Sequence, residues 1–262
     1  TLLLLVIAFA LIFEFINGFH DAANSIATVV ATKVLSPGQA VMLAAGMNLI
    51  GAFWGTAVAK TISSGLVDTD VVNVSSTVLI CALIGGIIWN LITWWRGLPS
   101  SSSHALIGGL CGAAVAAADN DWHALVWSKY GESFAKNSGL LWKVVIPMVT
   151  SPLAGFILGV LIMGLLMAVI SSMNSAGGVL ARISRPRWVN AFFGKAQIGS
   201  AAYMGFAHGT KKAKKTMGII ALAIFGAQTS GTLDNLPSWL QFLHPTGGEK
   251  DIDKWIIISC AL

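Results

Sequence analysis

Ile16-Asn17-Gly18-Phe19-His20-Asp21-Ala22-Ala23-Asn24-Ser25 is the stretch on which the fold turns. It sets a carboxylate, an imidazole and two amides in the middle of a long run of apolar or small residues. An ionisable group at bilayer depth costs several kcal/mol, about 2.5–3.5 on insertion scales, so a chain keeps one where it lines a cavity or holds a ligand. Gly18 weakens the helix beside the polar run. The stretch therefore predicts a helix broken near the bilayer midplane, the device with which many secondary transporters build ion and substrate sites.

Working outward, hydrophobic residues make up 55 % and charged residues 10 % of the 262, against about 25 % charged in soluble domains. Apolar stretches recur at Thr1–Phe13, Ala40–Ala59, Val78–Trp95, Ala105–Ala118, Val144–Ile170, Ile198–Ala207, Met217–Ala227 and Trp255–Leu262. Several approach the roughly twenty residues that cross a bilayer. The shorter ones read as half-spans, hairpin arms or cut ends, and one polytopic all-α domain fits better than two soluble ones. Thr1 is not an initiator and no basic region precedes the first apolar run, which argues against a signal peptide. Leu262 falls inside what reads as the start of a span, so a fragment lacking later helices is expected. Cys81, Cys111 and Cys260 all lie in apolar surroundings without metal-ligand spacing, and are expected as small buried hydrophobes rather than a disulfide framework or a zinc site.

The net charge of +5 has two sources. Ser171–Ala196 carries Arg182, Arg185, Arg187 and Lys195 and no acid, which by the positive-inside rule makes it a cytoplasmic loop rather than a nucleic-acid site. Asp119–Lys143 and Thr246–Lys254 mix both signs and suit outer loops. The second source is Lys211, Lys212, Lys214 and Lys215, inside Gly205-Phe206-Ala207-His208-Gly209-Thr210-Lys211-Lys212-Ala213-Lys214-Lys215-Thr216-Met217-Gly218. Four lysines within a span require water or an anion, whereas on a surface loop they are a solvated charge run. Gly18-Phe19-His20-Asp21-Ala22 can be laid over Gly209-Thr210-Lys211-Lys212-Ala213. Corresponding breaks in two halves point to a site built on internal repeats.

A third polar element is Gly97-Leu98-Pro99-Ser100-Ser101-Ser102-Ser103-His104. Proline suits a first helical turn and serines cap it, and a helix start offers backbone N–H groups and hydroxyls to an anion. The apolar stretch that follows is short for a span, which suits a re-entrant hairpin arm. A capped helix end at an interface, with Trp89, Trp94, Trp95 and Arg96 before it, accounts for the same residues, and spacing alone leaves both open.

Asn17-Gly18-Phe19-His20-Asp21-Ala22-Ala23-Asn24, Trp89-Asn90-Leu91-Ile92-Thr93-Trp94 and Gly97-Leu98-Pro99-Ser100-Ser101-Ser102-Ser103-His104 together resemble the inorganic phosphate transporter (PiT) family, of the bacterial low-affinity phosphate permease type. Phe206-Ala207-His208-Gly209-Thr210 and Lys215-Thr216-Met217-Gly218 look like the start and end of its second signature. The resemblance implies an inverted-repeat fold with phosphate and cations bound near the midplane, between two broken helices and two serine/threonine hairpins. The second hairpin is expected beyond Leu262. The family pattern carries Asn at 211, Asp at 212 and Gln at 214, and here all three are lysine. A base replacing an acid at a cation site repels that cation by several kcal/mol where screening is poor. Altered or lost coupling is the first expectation, and lysines standing in for the cation another.

The resemblance implies that phosphate is held by Asp21, Asn24, Ser101, Ser102, Ser103 and Thr210, and the coupling ion, H⁺ or Na⁺, by His20, Asp21, Asn24 and Asn48. Any Na⁺ would sit at Asp21 and Asn24. A carboxylate at Asp21 repels phosphate until a cation or proton neutralises it, which gives coupling a physical reason. Asn48 and Asn90 also suit interhelical hydrogen bonds, and Glu14 a partner on a neighbouring helix. Many of the 28 glycines are expected to permit close helix contact.

The expected organisation is a first repeat over 1–170 with a re-entrant hairpin near 97–118, a cytoplasmic basic loop over 171–196, and the start of a truncated second repeat over 197–262. The expected function is symport of inorganic phosphate across the cytoplasmic membrane by a multi-pass transporter. No cofactor or nucleic-acid partner is expected, and a homo-oligomer is left open. A sulfate or other oxyanion permease and a passive anion channel are the alternatives. An intramembrane hydrolase built on Ser102 and His104 lacks a facing base and an oxyanion hole, so the chain is not expected to be an enzyme.

Overall fold

The computed structural model describes residues 2–54, 66–67, 75–98, 100–131, 137–176, 178, 182, 184–229, 233, 237–243 and 254–261. The described residues form helices joined by turns, with two isolated bridges, Val67 to Leu125 and Lys129 to Ser138, and no longer strand. The helices are α1 (Leu2–Ala31), α2 (Pro37–Phe53), α3 (Ser76–Trp95), α4 (Ser102–Ala117), α5 (Ile146–Ser175), α6 (Pro186–Thr229) and α7 (Lys254–Ala261). Thr246 and the rest of 244–253 lie outside the described residues.

Over the described residues the apolar stretches became these helices, but neither expected break is present. α1 passes through Gly18 and Asp21 without interruption, and α6 runs 44 residues through both flanks of the lysine cluster. The magnitudes explain it. A glycine costs a helix about 1 kcal/mol relative to alanine, whereas each backbone group left unpaired in lipid costs several. One weak residue does not open a helix whose neighbours all favour it. Ile198–Ala207 and Met217–Ala227 are thereby one helix, and its N-terminal part takes in Arg187 and Lys195. The basic stretch expected as a loop over 171–196 is thus helical at both ends, within α5 to Ser175 and within α6 from Pro186.

Local chemistry sets the helix ends, those at the third polar element among them. Ser36 caps α2 in a reciprocal capping box with Gln39, and Pro37 fills the first turn, where its missing N–H costs nothing. Beyond the last residue of α3, Trp95, the chain turns at Gly97, whose φ of +64° suits a residue without Cβ. Leu98 N–H bonds Thr93 O at 2.9 Å and Gly97 N–H bonds Trp94 O at 3.0 Å, the paired closure of a Schellman end. Ser101 then caps α4. The 16 residues of α4 rise about 24 Å, short of the ~30 Å hydrocarbon core.

α3 and α4 pack as an antiparallel hairpin, closely enough that a Cβ at Gly109 would collide with the Ala82 carbonyl. α1 lies against this hairpin on one side and against α6 on another, and α2 packs along α6. Gly51, Gly205 and Gly209 bring α2 and α6 almost backbone to backbone. A Cβ on Gly209 would sit 2.8 Å from the Asn48 carbonyl carbon, and one on Gly205 3.3 Å from Ala44 O. Small residues permit this approach where lipid offers no hydrophobic drive between helices. Other glycines, among them Gly18, Gly155, Gly159 and Gly199, have open space around them.

The buried core gathers side chains of α1, α3, α4, α6 and α7, with Leu83, Met217 and Ile220 at its centre. α5 is outside it. With the turn before it, it forms a 35-residue apolar helix, Leu141–Ser175, with none of its spanning stretch buried. A helix apolar all round is either buried or in lipid, so lipid is the solvent for this one. Leu2–Ala31 and Ser76–Trp95 are also long and apolar enough to cross a bilayer. The cysteines divide: Cys260 is buried as expected, Cys111 is half-buried, and Cys81 is exposed on the outer side of α3, contrary to its expected burial.

Candidate functional site

Two contacts fix how α1 and α6 run. Thr32 Oγ1 donates to Gln197 Oε1 at 2.7 Å, and Thr216 Oγ1 donates to Glu14 Oε2. Eighteen residues forward on α1 correspond to nineteen backward on α6, so the helices are antiparallel. In that register the Gly18–Asp21 segment passes beside the Gly209–Lys212 segment, head to tail. The Glu14 expectation of a partner on a neighbouring helix is met by Thr216.

The serine hairpin enters from the other side of α1. A Cβ at Gly86 would meet the Phe13 ring at 3.1 Å and Leu106 Cα at 3.6 Å, and the rings of Phe19 and Trp94 lie 5.6 Å apart. α1 and α3 are therefore parallel, and Asn17, Asn90 and Ser102 share one level, a turn beyond Phe13, Gly86 and Leu106. Ser102 Oγ donates to Asn17 Oδ1 there. Asn17, Asn90 and Ser102 are 5 %, 0 % and 3 % exposed. Among the described residues neither Asn90 Nδ2 nor Oδ1 has a hydrogen-bond partner, and Asn48 Oδ1 is likewise buried without one. The interhelical bonds expected of these two amides are not made by those atoms. An unmade buried hydrogen bond costs about 1–3 kcal/mol.

The third contact joins hairpin to lysine cluster: Lys215 Nζ donates to Ser103 Oγ. Three helices thus meet through side chains, with Asn17 and Glu14 from α1, Ser102 and Ser103 from α4, and Lys215 and Thr216 from α6. Thr216 is fully buried.

The other expected residues are placed differently. Ser101 is exposed and its hydroxyl caps α4, accepting from His104 N–H at 3.5 Å. Ser100 accepts from Trp89 Nε1 at 3.1 Å. Thr210 Oγ1 is taken up by its own helix, donating to Ala207 O at 3.0 Å. His20 is half-buried. Asp21 and Asn24 lie in α1, and their side chains fall outside the described residues, as do those of Lys212 and Lys214. Ser102 is buried on Asn17 while His104 is exposed two residues on, so these two do not form a nucleophile–base pair. Among the described residues no cluster of His, Cys, Asp and Glu could hold a metal.

Sequence reasoning gave no role to Asn17 or Lys215. Both lay inside quoted motifs. Their signal was position, since Asn17 follows an apolar run and Lys215 stands just before one, each on a helix that must face another.

Comparison with known proteins gives a consistent picture. The phosphate transporter family matches residues 17–262. A "Probable low-affinity inorganic phosphate transporter" of Bacillus subtilis (strain 168) is 39 % identical over 260 residues, covering 98 % of this chain and 71 % of that protein. A protein of the same description from Mycobacterium leprae (strain TN) is 40 % identical over 261 residues, all of this chain and 53 % of its own length. The chain thus spans about half the length of that mycobacterial relative. Among solved structures, "The sodium-dependent phosphate transporter" superposes with a TM-score of 0.71 at 20 % identity, over 100 % of this chain and 73 % of the other. At that identity the match speaks for the fold, an all-α membrane fold.

Proposed function

This chain belongs to the phosphate transporter family, and from that premise we propose that it carries inorganic phosphate across the cytoplasmic membrane as a multi-pass symporter driven by H⁺ or Na⁺. The observation that carries the reading is the meeting of the serine hairpin with both polar segments, Ser102 on Asn17 and Ser103 on Lys215. Hydroxyls, an amide and an ammonium converging between helices are donors for a tetrahedral oxyanion. The antiparallel passage of Gly18–Asp21 beside Gly209–Lys212 supports two inverted halves around one site.

In this reading the hairpin hydroxyls and Asn24 hold the phosphate oxygens. Asp21 takes the coupling ion, as a carboxylate ligating Na⁺ or as an acid carrying H⁺. The anion stays only once that charge is neutralised, so cation and phosphate move together. The two halves then rock about the shared site. Phosphate is favoured over sulfate because HPO₄²⁻ and H₂PO₄⁻ carry a proton to donate to a carboxylate oxygen, and sulfate at neutral pH has none. Lys211, Lys212 and Lys214, in place of the family's Asn, Asp and Gln, alter that coupling in the second half.

Proteoliposomes holding the protein test this. Labelled phosphate should accumulate only under an inward Na⁺ or H⁺ gradient, and Asp21→Ala should abolish accumulation. Unchanged uptake by Asp21→Ala, or efflux and influx that simply follow the phosphate gradient, refutes symport. Lys212→Asp should change the dependence on the driving ion, and identical coupled uptake refutes an altered second half.

A further inference from the structure

We propose that Lys215 is a built-in counter-ion: its ammonium takes the part of one mobile cation in the second polar segment and presents a chain-borne positive charge to the oxyanion at Ser103. The inference rests on the phosphate reading of the hairpin and adds a residue and a charge count to it.

Sequence position gives the first argument. When Gly18 is laid on Gly209, the overlay runs on to put Lys215 at the place of Asn24, and Thr216 at that of Ser25. The first half thus offers an amide, whose oxygen can ligate a cation. The second offers a cation already attached to the chain.

Geometry gives the second. Lys215 is half-buried and reaches from α6 to Ser103 on α4, where its ammonium donates to the hydroxyl. The next residue, Thr216, donates to Glu14 on α1. The lysine is therefore held at the junction of three helices and is not a solvated surface charge. Its neighbour Lys211, one turn earlier, is exposed.

Chemistry gives the third. An ammonium carries three donors and no acceptor, and the Ser103 bond uses one. The same hydroxyl that accepts from Lys215 has a proton to donate, so lysine and serine can bind neighbouring oxygens of one tetrahedral anion. Glu14, brought into the network by Thr216, balances part of the charge when the anion is away. A fixed positive charge at this point lowers by one the number of mobile cations that must arrive for a doubly charged anion to stay.

The test is phosphate uptake into proteoliposomes as a function of external Na⁺ and, separately, of external pH, for the wild-type protein and Lys215→Asn, Lys215→Arg and Ser103→Ala. Lys215→Asn should raise the phosphate half-saturation at least about tenfold, the low end for losing a charge-assisted hydrogen bond. It should also steepen the dependence on the driving cation by close to one ion. Lys215→Arg should keep the wild-type cation order. Ser103→Ala should weaken phosphate without changing that order. Lys215→Asn with unchanged half-saturation and cation order overturns the proposal. If Lys215→Asn does not fold, the arginine and alanine variants decide, and any pattern other than the one given overturns it. Wild-type protein that accumulates no phosphate refutes the transport reading and this inference with it. Wild-type accumulation with an indifferent Lys215 refutes the inference alone.

Discussion

Gly209→Ala is the sharpest test of how α2 and α6 are held. A Cβ there would lie 2.8 Å from the Asn48 carbonyl carbon and 2.9 Å from Asn48 Cα. Carbon atoms prefer about 3.5–4.0 Å, so the helices must part by on the order of 1 Å. Overpacking costs about 1–3 kcal/mol. The upper end applies because the atoms in the way are backbone and cannot rotate aside. Alanine also favours a helix by about 1 kcal/mol over glycine, which would mask part of the clash. Gly199 removes that ambiguity, for it lies on the same helix with nothing within 4 Å of its would-be Cβ. The propensity gain is common to both substitutions, and their difference isolates the clash at about 2–3 kcal/mol. For a chain of this size that corresponds to roughly 4–12 °C in Tm. Tryptophan fluorescence during thermal unfolding in detergent is the assay. Trp54 is well placed to report, with its ring 6.2 Å from that of Phe206 across the same interface. A Gly209→Ala midpoint within about 2 °C of the Gly199→Ala midpoint would refute the close-contact account.

Asn90→Leu should raise stability by about 1–3 kcal/mol, because an apolar side chain of similar size replaces an amide buried without partners; a lower denaturation midpoint sinks that argument. Thiol labelling in detergent should find Cys81 first and Cys260 last, so Cys81→Ser should remove the fast phase and Cys260→Ser leave it intact. In the connection before α5, the His123 backbone N–H, and then its ring, hold the Asp121 carboxyl below its usual range. A value depressed by folding gives stability that is present above the unfolded carboxylate pKa and fades as pH falls through the folded one. Amide exchange at His123, corrected for its intrinsic rate, should therefore lose protection only in acid, and Asp121→Asn should remove that step.

The sequence by itself determined that this is an all-α membrane chain and where its polar residues concentrate. Composition and run length do that, because lipid selects for long apolar helices whatever their neighbours. Asp21, the serine run before His104 and the lysine cluster were all visible as polar groups in apolar surroundings, where each has a cost that a site must offset. The helix continuity at Gly18 and Gly209 was not visible, since a glycine marks weakness but the pairing of every other backbone group decides whether the helix opens. Nor could spacing tell that Ser101 and Thr210 direct their hydroxyls to their own helices while Ser102 and Ser103 turn theirs to α1 and α6. Residue 17, the pair 102–103 and residue 215 are distant in the chain, and only the antiparallel packing of α1 on α6, with the α3–α4 hairpin against them, sets their side chains within hydrogen-bonding reach. The tertiary structure chose among the polar groups because a hydroxyl or ammonium at a helix crossing is cut off from water and must take its partner from the helix it faces.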